Sequence, residues 1–136
     1  MKSRILEIDF RSVEPLKAIF ESAGFDCDFD NDGDLRIIDD VVVILHSRGD
    51  RSLQYIAMYR LTNQADEYRA RELESRINEY FECVKARISF EYRILTLSWF
   101  VNAEGGITKE NLLSTCRKFQ GFVRSVAQFD DDDLLE

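Results

Sequence analysis

Apolar residues recur along this chain at two different spacings, and the elements begin and end where the spacing changes. Val13, Leu16, Ile19, Phe20 and Ala23 return every three or four positions, which places them on one face of a helix over SVEPLKAIFESAG. Ser12 is positioned to cap that helix, Pro15 is tolerated in its first turn, and Gly24 ends it. LRII, Val41 to His46 and Leu53 to Leu61 are instead rich in β-branched and aromatic residues. Asp39-Asp40 and SRGDRS separate them, so three short antiparallel strands are predicted.

Helical spacing returns in TNQADEYRARELESRINEYF, with Asn63 as the expected cap and Asp66 and Glu67 at the positive end of the dipole. Tyr68, Leu73, Ile77, Tyr80 and Phe81 form its predicted buried stripe, and Glu67–Arg71 and Glu72–Arg76 its solvated ion pairs. Val84, Ala86, Ile88 and Phe90 then alternate with polar residues, as do Leu95, Leu97, Trp99 and Val101 beyond a turn at Glu91 to Arg93. NAEGG breaks the second of these strands. Thr108 caps a last helix carrying Leu112, Leu113, Cys116, Phe119, Val123 and Val126 on one face.

The order is α-β-β-β-α-β-β-α. Strands and helices in segregated runs indicate an α+β fold, with an antiparallel sheet and the helices on one face. The 136 residues make a single domain. An apolar share of 45% and ten Phe are ample for its core. Residues 130–136, DDDDLLE, are expected as a frayed and disordered acidic tail.

A net charge of −8 and a pI near 4.7 argue against a nucleic-acid or anionic-membrane partner, since both are held by clustered Lys and Arg. A protein or peptide partner fits this balance better. Glu7 and Asp9 interrupt the opening segment before it can form a secretory signal, and Val41 to Leu45 is far shorter than the ~18 apolar residues of a membrane span. Cys27, Cys83 and Cys116 are dispersed and odd in number. They read as reduced thiols of a cytoplasmic protein rather than as disulfides or zinc ligands, and no cofactor is implied.

One stretch raises a question of chemistry. In DFDNDGDLRIID, Asp28, Asp30, Asp32, Gly33, Leu35 and Asp39 fall where a calcium-binding EF-hand loop would put its ligands, its turn glycine, its apolar residue and its closing carboxylate. If Leu35 to Asp39 is a strand, a rise of about 3.3 Å per residue carries Asp39 roughly 16 Å from Asp34, outside any shared cage. Gly24 also stops the preceding helix before the loop begins, and Arg36 puts a cation where a ligand is wanted. An acidic hairpin turn at Asn31-Asp32-Gly33 is therefore expected. A weak, open cation site at Asp28, Asp30, Asp32 and Asp34 is the alternative.

The other candidates are weaker. His46 is the single histidine, and the pattern places no fixed carboxylate or nucleophile beside it, so no catalytic residue is assigned. Glu104-Gly105-Gly106 lacks the spacing of a phosphate or dinucleotide loop. Tyr92, Trp99 and Phe100 lie on or beside a strand that is apolar on both faces, which makes them the candidate partner-binding residues. Lys85, Arg87 and Arg93, beside Arg69 and Arg76, are expected to neutralise neighbouring glutamates, with a local basic patch as the alternative.

Taken together, AGFDCDFDNDGDLRI, the valine-rich strand, RINEYFECVKARISF and LTLSWFVNAEGGITKENLLSTCRKFQGFV resemble the YbjN domain family of candidate bacterial sensory transduction regulators. The likeness spans residues 13 to 129 and includes Asn78 at a helix end running into Val84-Lys85. It implies a fold similar to that of type III secretion chaperones, small acidic proteins that dimerise and hold unfolded effector segments. The function it implies is that of a non-enzymatic chaperone-like or regulatory protein-binding module, with a homodimer as the expected assembly. The alternatives are a type III secretion chaperone proper and a weak calcium-binding protein.

Overall fold

The computed structural model describes residues 5, 6, 10–49 and 51–136. Glu7 and Asp9 of the opening segment and Asp50 of the SRGDRS loop lie outside the described residues. The chain forms a 3-10 turn at Glu14–Leu16 and then α1 (Lys17–Ser22), β1 (Asp26–Phe29), β2 (Leu35–Ile38), β3 (Val42–Ser47) and β4 (Ser52–Arg60). It continues with α2 (Glu67–Tyr80), β5 (Lys85–Ser89), β6 (Ile94–Asn102), α3 (Lys109–Val126) and a closing 3-10 turn at Ala127–Phe129. The fold is α+β. Its six strands form one sheet in the order β1-β2-β3-β4-β6-β5, with each neighbouring pair antiparallel.

The strand β1 adds a fourth member to the first run. Its composition hides it, because Asp26 and Asp28 read as turn residues. They are tolerated here because they lie on the open side of an edge strand, while Cys27 pairs opposite Ile37.

Burial alternates along β2 to β5. Leu35 and Ile37, Val43 and Leu45, Leu53, Tyr55 and Ala57, and Leu95 and Leu97 all face the same side and join one core with Phe20, Leu73, Ile77, Leu112, Cys116 and Phe119. Two tyrosines of β4 fasten α3 to the sheet: Tyr55 Oη donates to the Leu112 carbonyl at 2.8 Å and Tyr59 Oη to the Val123 carbonyl at 2.6 Å. Burial pushes the Tyr55 hydroxyl well above its ordinary pKa, so it stays a donor.

Several local expectations change. Asp66, not Asn63, caps α2, accepting from the Arg69 N–H at 2.8 Å. The buried face of α2 is Ala70, Leu73 and Ile77, continued by Phe81 just past its end; Tyr68 and Tyr80 stand in solvent, off that face, and the cap lies three residues later than expected. Glu67–Arg71 forms at 3.8 Å, whereas Arg76 reaches Asp131 at 3.0 Å instead of Glu72. Thr108 caps α3 through the Asn111 N–H at 3.1 Å, as expected.

Residues 130–136, expected to fray, are docked. Asp130 accepts from the Leu134 and Leu135 N–H groups, Leu135 bridges to Leu61, and Leu134 is buried. The two leucines supply the apolar anchor that a purely acidic tail would lack. Gly106 has φ +97° and a Cβ there would lie 2.2 Å from Ile5, which accounts for the Gly105-Gly106 pair without a phosphate. Among the described residues no helix is long and apolar enough to cross a membrane.

Candidate functional site

Among the described residues, no helix lies over the side of the sheet facing away from the core. Register determines what lies there. One row crosses all six strands as Asp28, Arg36, Ile44, Ile56, Ser98 and Lys85, each opposite the next. A second row holds Ile38 opposite Val42, and Met58, Thr96 and Arg87 in succession; a third holds His46, Gln54 and Phe100. Ile38 (37%), Val42 (44%), Met58 (53%) and Phe100 (50%) are exposed, with Ile44 and Ile56 half-buried between them. The result is an apolar centre with acidic β1 at one end and basic β5 at the other.

The two ends of the sheet are finished differently. Along β5, α2 covers the backbone with side chains: Asn78 Nδ2 donates to the Ala86 carbonyl at 3.0 Å, and its Oδ1 accepts from the Ala86 N–H at 2.7 Å. Glu74 accepts from the Ile88 N–H, and Arg71 donates to the Ile88 carbonyl at 3.1 Å. These three side chains take the hydrogen bonds another strand would otherwise take, which closes this edge to pairing. Along β1 the guard is charge. Asp28 is bidentate to Arg36, with Nε donating at 2.7 Å, and the guanidinium holds its carboxyl below the ordinary value.

The acidic segment is the turn between β1 and β2. Gly33 has φ +83°, its N–H donates to the Asp30 carbonyl at 3.1 Å, and Asp30 Oδ1 accepts from the Asp32 and Asp34 N–H groups at 2.9 and 3.0 Å. Strands, not helices, flank it. Carboxylate oxygens of Asp30, Asp32 and Asp34 lie within 4.8 Å of one another, while Asp28 is taken by Arg36 and Asp39 turns towards Arg124 at 3.5 Å. Asp34 also sits beside His46, 2.7 Å from its Nδ1. The linear pattern held no sign of that neighbour because it is brought there by the β2–β3 register.

Tyr92, Trp99 and Phe100 do not come together. Tyr92 stands exposed in the β5–β6 turn, Trp99 faces the helices with its ring 5.5 Å from Phe122, and Phe100 lies on the open face. Alternation separates neighbours 99 and 100 onto opposite sides. Lys85 and Arg87 likewise point to the open face, away from the α2 glutamates they were expected to neutralise, and Arg93 donates to the Ala65 carbonyl at 2.9 Å. Sequence reasoning passed over Ile38, Val42, Ile44, Ile56 and Met58; apolar residues at alternate positions on both faces of β3 and β4 were the available signal. The thiols are free. Burial pushes Cys116 up to about 12 and Cys27 up to about 11, and Cys83 is exposed.

No family model matches the sequence, and no curated protein matches it. Among solved structures, the crystal structure of YbjN from E. coli, described as a candidate transcription regulator, superposes with a TM-score of 0.76 at 17% identity. The match covers 98% of this chain and 99% of that one. The chain has a YbjN-like fold, and at this identity the likeness is one of fold.

Proposed function

We propose that the chain is a non-enzymatic binding module of the YbjN type, chaperone-like or regulatory, acting in the cytoplasm. Its open sheet face takes an extended or unfolded polypeptide. The observation that carries this reading is the contiguous apolar centre of Ile38, Val42, Ile44, Ile56, Met58 and Phe100, which no element of the described chain covers. Apolar surface of this kind, rimmed by charge, is characteristic of interaction sites. A regulatory role would act through a protein, since the net charge of −8 opposes contact with a phosphate backbone. With β5 closed by α2, side-chain contact on the face is favoured over strand addition at that edge.

The test is fluorescence anisotropy of a labelled, permanently unfolded model polypeptide. Saturable binding to the wild type is expected, together with its loss in Met58→Asp and Phe100→Ser. Absence of binding to the wild type would sink the reading. A second copy of the chain is the second reading, favoured by the opposite charges at the two ends of the face, which a two-fold axis would bring together. Light scattering that reports a monomer would dispose of it.

A further inference from the structure

Many cations of this acidic chain are held by carboxylates: Arg36 by Asp28, Arg76 by Asp131, Arg124 by Asp39 and Asp40. Three that are not so held converge on one concavity of about 240 Å³ at the basic end of the open face. Arg48 enters from the β3–β4 loop, and Lys85 and Arg87 from β5. None of the three forms an ion pair with another described residue. Arg48 is steadied by Phe100, its guanidinium carbon 5.6 Å from the ring centre.

The floor is polar. Lys85 stands opposite Ser98 and Arg87 opposite Thr96, while Gln54 stands opposite Phe100. The side chains of Gln54, Thr96 and Ser98 make no hydrogen bond to any described residue, although Ser98 is only 8% exposed. These polar groups and the three cations open into the same concavity, so several donors face one small volume. No carboxylate of the described residues lines it.

We propose that this concavity binds a phosphate monoester, carried either by a small phosphorylated molecule or by a phosphorylated side chain. A phosphoryl dianion has three terminal oxygens and close to two charges, which matches three cations and the Ser98 and Thr96 hydroxyls. A carboxylate, with one charge and two oxygens in a plane, would leave much of the site unanswered. The volume is below the about 300–1,000 Å³ of drug-sized ligand sites, which suits a phosphoryl group with a short stem. Since the chain as a whole repels anions, recognition comes from contact at short range and not from steering. The site stands whether or not a polypeptide covers the apolar centre beside it.

The test is an amide NMR titration of the full chain, at constant ionic strength, with O-phosphoserine, with a short phosphoserine peptide and with the same peptide carrying glutamate. Saturable shifts of the amides of Lys85 to Arg87 and Thr96 to Phe100 are expected with the phosphorylated probes. The glutamate peptide should bind about tenfold more weakly or worse, as should the phosphorylated probes to Arg87→Gln, whereas Lys118→Gln on α3 should leave binding unchanged. Equal affinity for O-phosphoserine and the phosphopeptide assigns a small phosphorylated ligand; a clear preference for the phosphopeptide assigns a modified protein. Absent or non-saturable shifts, equal binding of the glutamate peptide, or binding that survives in Lys85→Gln/Arg87→Gln would overturn the proposal. Anisotropy with the unphosphorylated, unfolded polypeptide reads the apolar centre separately, so failure of one reading is distinct from failure of the other.

Discussion

On the helix side of β4, Leu53, Tyr55 and Ala57 are shut away under α3, while on the opposite side of the same strand Gln54, Ile56 and Met58 look outward. The contrast repeats on β6, where Leu95, Leu97 and Trp99 pack inward and Thr96 and Phe100 do not. Burial on the first side is what the core requires. Nothing in folding requires Met58 or Phe100 to be apolar, and leaving such groups in water forgoes stabilisation of about 25 cal/mol per Å². The difference between the faces therefore separates residues that hold the fold from residues available for contact.

The sharpest way to break the comparison is to cut into the covered face. Tyr55→Ala removes a fully buried ring and is expected to cost about 3–5 kcal/mol in chemical denaturation. Tyr55→Phe, which loses only the bond to the Leu112 carbonyl, should cost about 0.5–1.5 kcal/mol.

Asn78→Ala comes next, at about 1–3 kcal/mol, because it strips both partners from the Ala86 peptide at once. It should also raise concentration-dependent association in light scattering, as β5 becomes an open edge. On the uncovered face, Met58→Asp and Phe100→Ser should leave stability within about 0.5 kcal/mol of wild type while removing polypeptide binding.

The smallest effect is electrostatic. Hydrogen bonds from Arg36 and Arg124 hold the Asp28 and Asp40 carboxyls below their usual 3.8. A carboxyl depressed in the folded state adds stability above its unfolded value and loses it as pH falls through the folded one. Stability should therefore decline as pH drops below about 4, and Asp40→Asn should flatten part of that decline. Both pairs are exposed, so the change will be slight.

The covered face was legible along the chain because its signal is local. Leu53, Tyr55, Ala57 and Leu95, Leu97, Trp99 announce themselves by alternation, and Thr108 by its place before an apolar helix. The open face was not, because its longest row runs across all six strands: Asp28 to Arg36 and Ile44 to Ile56 to Ser98 follow from registers that no linear pattern encodes. Acidic β1 was lost to its turn-like composition. Asn78 was noticed for its position at a helix end, yet its hold on Ala86 depends on how α2 lies against β5.

The most direct test of whether the uncovered face is the contact surface is a methyl NMR titration with an unfolded model polypeptide. The structure predicts saturable shifts at Met58, Ile44 and Ile56, with the buried methyls of Leu73, Leu97 and Ile77 left in place. Shifts confined to the helix surfaces, around Tyr80 and Phe129 for example, would contradict it.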